Sequence, residues 1–300
     1  MAERRCLIVG GCGYIGARIA EALATEGPIL VTRRSLSPVR EAWLQAAGIA
    51  SVHFDSATDS RLPVSGDFDV VVSLAMPGAA EAARDPQAGV KARKSAQACL
   101  DLFNAGRAGR LLHFSSFHVY GGPGRGHYCE DDVPTPTHAY GQIHLDCERI
   151  MLAQPGVVVV RPSNMVAAPA HADLGDQAKL MFLDLCRQAA SGALQLLNDG
   201  ASYRDFLPID DVLAALRILF ECSLDGHRLF NLAQGRAQRL DEIAQMIQRA
   251  AAHPVAVSFG TGVDAFRAPF SVSIEHMLGL GWQPQALLSE EASRIIRFFS

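Results

Sequence analysis

Between His113 and His144 the chain reads HFSSFHVYGGPGRGHYCEDDVPTPTHAYGQIH. Among the several side chains in this stretch that can move or hold a proton at an oxygen are the Ser116 hydroxyl, the Tyr140 phenol and the His144 imidazole. If Tyr140 opens a helix, His144 lies one turn further along the same face. A phenol ordinarily titrates at about 10, so its anion is scarce at neutral pH. A full positive charge about 4 Å away would lower that value by roughly three units at an effective dielectric of about 20. An imidazole, ordinarily titrating at about 6.5, is mostly neutral at pH 7 and supplies much less. The trio is therefore better suited to a phenol that gives a proton than to a phenolate that takes one. His118, His127 and His138 lie in the same stretch, but their spacing matches no metal-ligand set. They are expected to be exposed loop residues, with no metal.

Groups so far apart in sequence must be brought together by a scaffold. Short apolar runs at Cys6–Val9, 28–32, 52–54, 70–74, 110–115, 157–161 and 230–232 read as buried strands. Helical spacing at 14–26, 87–105, 140–152 and 210–221 alternates with them. This rhythm predicts an α/β fold, a Rossmann-type doubly wound parallel sheet covered on both faces. After Arg161 the rhythm changes. Helix at 180–192, a strand at 194–197, a turn at 198–200 and helices at 240–251 and 290–299 predict a smaller C-terminal α/β substrate-binding lobe. The expected division is 1–161 for the sheet domain, rejoined by 206–233, and 162–300 mainly for the lobe.

The first strand runs into VGGCGYIGARIAEAL, which places Gly10, Gly13 and Gly16 at a strand-to-helix turn. Glycines there allow the tight turn and let a pyrophosphate approach bare backbone at a helix N-terminus, so a dinucleotide site is expected. At the end of the second strand an acidic residue would accept from the adenosine ribose, but the chain reads LVTRRS. Arg33 and Arg34 suit a 2′-phosphate, which puts NADP(H) ahead of NAD(H). Asp55, after the third strand, is placed beside the adenine.

The chain as a whole resembles the extended short-chain dehydrogenase/reductase family, in its nucleotide-sugar epimerase, dehydratase and reductase branch. The resemblance rests on GGCGYIG (10–16), SLA (73–75), SSFHVYG (115–121), YGQIH (140–144), RPSN (161–164), YRDFLPIDDV (203–212), FNLAQG (230–235) and LGW (280–282). It implies that Ser116 and Tyr140 are catalytic, and that Tyr14, Ile15, Leu74 and Ala75 border the cofactor. It further implies that Asn164, Arg204 and Arg267 hold the diphosphate of a nucleotide sugar, and that a homodimer forms through the helices at 87–105 and 140–152. Three departures stand out. The family lysine four residues after the tyrosine is His144, Pro208 replaces a histidine, and Ser271, Val272 and Ser273 occupy a region where an acidic residue is common. With the lysine gone and arginines at the second strand, the expected reaction is reduction of a keto-sugar. Tyr140 would act as acid, and His144 would anchor the nicotinamide ribose. The alternatives are an epimerase or dehydratase retaining NAD, and a cofactor-sensing protein whose catalysis has decayed.

Composition sets the remaining bounds. With 49% hydrophobic and 19% charged residues and a net charge of −4, the chain has no basic face for nucleic acid or anionic membrane. Seven scattered cysteines without a CxxC pair fit a reducing cytoplasm. The opening MAERRCLIVGG contains no apolar leader, and no apolar run approaches a bilayer span, so no secretory segment or anchor is expected.

Overall fold

The run Val157–Val160 has no polar face and is satisfied only with cover on both sides; all four valines are fully buried. A computed structural model describes residues 3–122, 124–177, 180–223 and 226–300. Seven parallel strands form the central sheet, in the spatial order Leu229–Leu232, Val157–Pro162, Ala108–Phe114, Phe68–Ser73, Cys6–Val9, Ile29–Arg33 and Ala50–His53. Side chains alternate across it: Cys6 and Ile8 enter one core with Ile19, Val212 and Phe230. Leu7 and Val9 enter the other with Cys99, Cys147 and Met151. This is the doubly wound α/β architecture expected from the alternation of strands and helices.

The strand order reverses between Cys6–Val9 and Phe68–Ser73, which pair with Val9 opposite Ser73. In open sheets of this kind the crevice at the carboxyl end of such a reversal receives the ligand. The glycine turn leaves the sheet at this edge. So does Ser115–Ser116, through the strand Ala108–Phe114.

Within segment 206–233, Phe206–Pro208 pairs with Asn164–Val166 outside the central sheet, and the remainder returns to it. Leu229–Leu232 pairs with Val157–Pro162, and helix Ile209–Glu221 packs Val212, Leu216 and Leu219 into the first core. The second lobe has its own core of Phe182, Leu185, Leu240, Ile243 and Ile295, contributed by helices Met181–Ala190, Leu240–Ala250 and Leu288–Phe299. A parallel pair of strands, Ala193–Asn198 and Ala256–Gly262, completes it. Sequence periodicity passed over the second of these strands, whose residues are mostly exposed and small, and helix Pro38–Ala46. That helix is capped by Ser37, which accepts from the Arg40 amide, and opens on Pro38, a legible start signal.

Arg161 and Glu148 form a buried pair, 3% and 2% exposed, which ties the strand Val157–Pro162 to helix Ala139–Leu152. Two guanidinium nitrogens, Nε at 3.0 Å and Nη2 at 2.5 Å, donate to the two carboxylate oxygens, and the guanidinium lies 4.7 Å from the Tyr120 ring centroid. Removing one partner leaves a buried charge without compensation. Arg161→Ala is therefore expected to lower the unfolding free energy by about 3–5 kcal/mol in denaturant titration. A loss below about 1 kcal/mol would mean that water reaches Glu148.

Candidate active site

Gly10 takes φ +91°, and a Cβ there would lie 2.8 Å from the Ala75 amide nitrogen. The turn thus packs its bare backbone against Leu74 and Ala75, and the Leu74 amide continues the ladder to the Val9 carbonyl at 2.8 Å. At Gly16 a Cβ would meet the Gly10 carbonyl oxygen at 2.4 Å, so helix Tyr14–Leu23 can begin this close only with glycine there. Gly13 is the N-cap of that helix, and Ile15 sits part-buried in its first turn. The Tyr14 phenol turns toward the second lobe: it donates to the Ala167 carbonyl and accepts from the Ala167 amide at 3.0 Å. Burial raises its pKa.

At the neighbouring strand ends, Arg33 donates its Nε to Ser51 Oγ at 3.0 Å. Arg34 is 69% exposed, with Glu81 at 3.7 Å. Asp55 accepts from the Ala57 amide at 2.9 Å, and the Arg33 carbonyl accepts from the Phe54 amide, so Asp55, two residues past the strand Ala50–His53, follows the strand next to the one that Arg33 ends. The sequence reading passed over Arg40. It is buried, donates to the Ser35 carbonyl at 2.8 Å, and has a buried Nε without a protein partner. The positive charges of Arg40 and Arg33 both reach Cys12 in the glycine turn, partly offsetting the upward push that burial gives its thiol.

Ser116 follows the strand Ala108–Phe114 by two residues and caps the short turn Phe117–Tyr120, where its Oγ accepts from the His118 amide at 3.2 Å. Tyr140 lies in the first turn of helix Ala139–Leu152. That helix approaches closely because Gly141 carries no side chain: a Cβ there would stand 2.5 Å from the His118 carbonyl oxygen. Burial pushes the Tyr140 phenol up, and its hydrogen bond with Ser116 pulls it part of the way back. The expected one-turn spacing places the His144 ring centroid 4.4 Å from that of Tyr140. His144 is 3% exposed, and neither of its ring nitrogens has a protein partner. Burial, with smaller contributions from His113 and His118, lowers its pKa to about 3. The imidazole is neutral beside the phenol.

His118 corrects the expectation of an exposed loop histidine. It is half-buried, its ring edge-on to Tyr140 with centroids 5.5 Å apart, whereas His127 and His138 are exposed. Among the described residues, no group of three or more His, Cys, Asp or Glu side chains could hold one metal ion.

The residues expected at a substrate diphosphate are held by protein partners. Asn164 donates to the Asp205 carbonyl at 2.8 Å. Arg204 pairs with Asp264 and lies 5.0 Å from the Phe266 ring centroid, while exposed Arg267 pairs with Asp199 at 2.8 Å. The charge of Arg204 is felt at His118, beside Tyr140. Asp205, in the YRDF motif, is buried and accepts from Ser163 Oγ at 2.5 Å and the Gln234 amide at 3.0 Å, so it ties three motifs together. Burial raises its pKa to about 6.

These residues fit a nicotinamide dinucleotide, with bare backbone at a helix N-terminus and an unpartnered buried imidazole beside the phenol. Such a cofactor supplies a hydride acceptor and donor. Comparison with known proteins agrees. The UDP-glucose 4-epimerase of Corynebacterium glutamicum is 23% identical over 299 residues, covering 94% of this chain and 91% of that protein. The dTDP-6-deoxy-L-talose 4-dehydrogenase (NAD(P)(+)) of Kitasatospora kifunensis is 24% identical over 303 residues, covering 96% and 93%. Among solved structures, UDP-glucuronic acid 4-epimerase from Bacillus cereus, in complex with UDP-glucuronic acid and NAD, superposes with a TM-score of 0.80 at 19% identity, over 98% of both chains. The pattern described as "NAD dependent epimerase/dehydratase family" matches residues 6–233, and to that family of extended short-chain dehydrogenase/reductase enzymes the chain belongs.

Proposed function

We propose that this enzyme interconverts nucleotide-linked sugars without net redox change, as an epimerase or dehydratase. Tyr140 would move the proton at the reacting oxygen, with Ser116 as its hydrogen-bond partner. The observation that carries this reading is the placement of Ser116 and Tyr140 at the same carboxyl edge of the sheet as the Gly10–Gly16 turn, with the Ser116 hydroxyl offsetting part of the upward push that burial gives the phenol. The family pattern and the sugar-nucleotide epimerases among the relatives support it over the keto-sugar reduction expected from the sequence. The retained Ser116–Tyr140 pair also argues against a decayed sensor, which would not need it. The test is to incubate the purified protein with UDP- and dTDP-hexoses without added cofactor and follow the sugars by NMR. Epimers or a dehydrated sugar should accumulate while the bound dinucleotide shows no net change. Stoichiometric consumption of NADPH with a keto-sugar, without interconversion, would overturn the proposal in favour of reduction. One observation favours that second reading: His144 is neutral and does not help to form a phenolate.

For the cofactor, the LVTRRS strand end supports NADP(H) ahead of NAD(H), since it offers two guanidinium groups and no carboxylate. The double variant Arg33→Ala, Arg34→Ala is expected to weaken NADPH binding about 10- to 100-fold and to change NADH binding by less than about twofold, read by cofactor fluorescence. Equal losses for both would remove the 2′-phosphate contact from the account. Arg204, Asn164 and Arg267 remain the proposed diphosphate contacts, which requires Arg204 and Arg267 to exchange their carboxylate partners for phosphate. We also carry forward a homodimer through helices Ala88–Asn104 and Ala139–Leu152 and a cytoplasmic setting. Among the described residues, no helix is long and apolar enough to cross a membrane.

A further inference from the structure

Outside the Ser116–Tyr140–His144 set, two more histidines stand against the phenol. The ring centroids of His118 and His138 lie 5.5 and 6.1 Å from that of Tyr140, and 5.1 Å from each other. We propose that His118 is a substrate-contacting, specificity-determining residue, whose Nε2–H is kept a permanent hydrogen-bond donor by His138 and holds an acceptor oxygen of the sugar next to the atom served by Tyr140. This rests on the nucleotide-sugar reading above.

The tautomers follow from one backbone amide. His138 is the N-cap of helix Ala139–Leu152, and its Nδ1 accepts from the Gly141 amide at 3.1 Å. An Nδ1 that accepts carries no proton, so the proton of neutral His138 is on Nε2. That nitrogen lies 3.3 Å from His118 Nδ1 and donates to it, which leaves the His118 proton on its own Nε2. His118 Nε2 has no hydrogen-bond partner among the described residues, and it is not one of the buried unpartnered atoms, so it is open to a ligand.

Nor can His118 easily change role. A second proton on it would set Nδ1–H against the Nε2–H of His138, and a second proton on His138 would remove the acceptor that caps the helix. The groups facing His118 are Tyr140 and His144 from the helix, His138 before it, and Arg204 from the strand Tyr203–Arg204. None is an anion that would stabilise an imidazolium. Burial, with His138 and Arg204, lowers the pKa of His118 to about 4. A fixed donor of this kind holds a substrate that presents an oxygen to it. It rejects an analogue lacking that oxygen, because its own N–H would then be left unpaired.

The test joins ring-nitrogen NMR of the cofactor-loaded protein with calorimetric titration of UDP-glucose, UDP-glucuronic acid and dTDP-glucose. At pH 7 the spectra should show Nε2–H on both histidines; a proton on His118 Nδ1, or an imidazolium, would overturn the lock. His118→Phe keeps a flat ring without a donor. It should weaken whichever of the three sugars wild type binds by about 10- to 100-fold, while binding of UDP or dTDP alone and of the dinucleotide stays within about twofold. His138→Ser keeps a helix cap but frees His118 Nδ1, so the ring-nitrogen spectrum of that variant should show the His118 proton shared between Nδ1 and Nε2; a proton still confined to Nε2 would overturn the lock. Sugar binding unchanged in His118→Phe would overturn the substrate role alone. Wild type that binds none of the three sugars would overturn it together with the functional reading.

Discussion

Tyr140→Phe should lower turnover by about 100- to 10,000-fold while the dinucleotide still binds and the melting temperature is nearly unchanged. The substitution removes one oxygen and retains the ring against Ile143 and the neighbouring helix face, so packing changes little. It takes away the group proposed to transfer the proton at the reacting oxygen, a contribution in the range found for positioned acids and bases. Ser116 cannot replace it. Its Oγ already accepts from the His118 amide, and as an alcohol it is a far weaker acid than a phenol. Initial rates on the interconverted sugar, together with cofactor titration, provide the measurement. Full activity in the variant would exclude the phenol as the proton carrier and return the choice to a binding protein.

The second large effect is expected from His144→Lys. In the native protein the imidazole is neutral down to about pH 3, because burial withholds the solvation its charged form needs. It gives no acidic limb near its ordinary value of about 6.5, and supplies no charge to lower the Tyr140 pKa at neutral pH. The phenol is left with burial pushing its pKa up and only the Ser116 hydrogen bond pulling it down. Sugar oxidation, which requires the phenolate, should therefore keep rising with pH through neutrality and beyond. A lysine ammonium at about the present ring separation of 4.4 Å would contribute on the order of 4 kcal/mol at an effective dielectric of about 20. That corresponds to an alkaline limb moved down by two to three units and an oxidative rate at neutral pH raised about 100-fold. Reduction, which uses the protonated phenol, should gain nothing or lose. Rate against pH in both directions is the measurement. An unmoved limb would mean that the two side chains are not electrostatically coupled despite their contact.

On the proposed role of Tyr140, the natural chain runs with a proton carrier that favours its acid form. For a redox-neutral cycle this is tolerable, because oxidation and re-reduction call on the same phenol in opposite senses. The barrier is then higher on the oxidative half, and His144→Lys should shift the rate-limiting half of the cycle as well as its speed.

Much of this architecture was readable from residues alone. Val157–Val160, Cys6–Val9 and Val70–Val72 have no polar alternation, and only a parallel sheet covered on both faces buries such runs. The Gly10–Gly13–Gly16 spacing required a bare backbone turn, and the contacts a Cβ would make there give the reason. The one-turn spacing of Tyr140 and His144 needed only helix periodicity. These are local properties, repeated over a few residues or set by backbone stereochemistry.

What the sequence could not supply was long-range pairing and electrostatic environment. Whether His144 is charged depends on how much solvent the packed helix excludes, and residue type alone leaves that open. His118 and His138 looked like loop residues until the fold set them 3.3 Å apart, and Arg204 and Arg267 gave no sign of Asp264 and Asp199, which lie about 60 residues or more away in the chain. Nothing near Arg40 in sequence shows that its charge is felt at Cys12 in the glycine turn. Backbone form follows from short-range patterns, whereas protonation and ion pairing depend on which distant groups share one water-poor crevice; only the tertiary structure decides that.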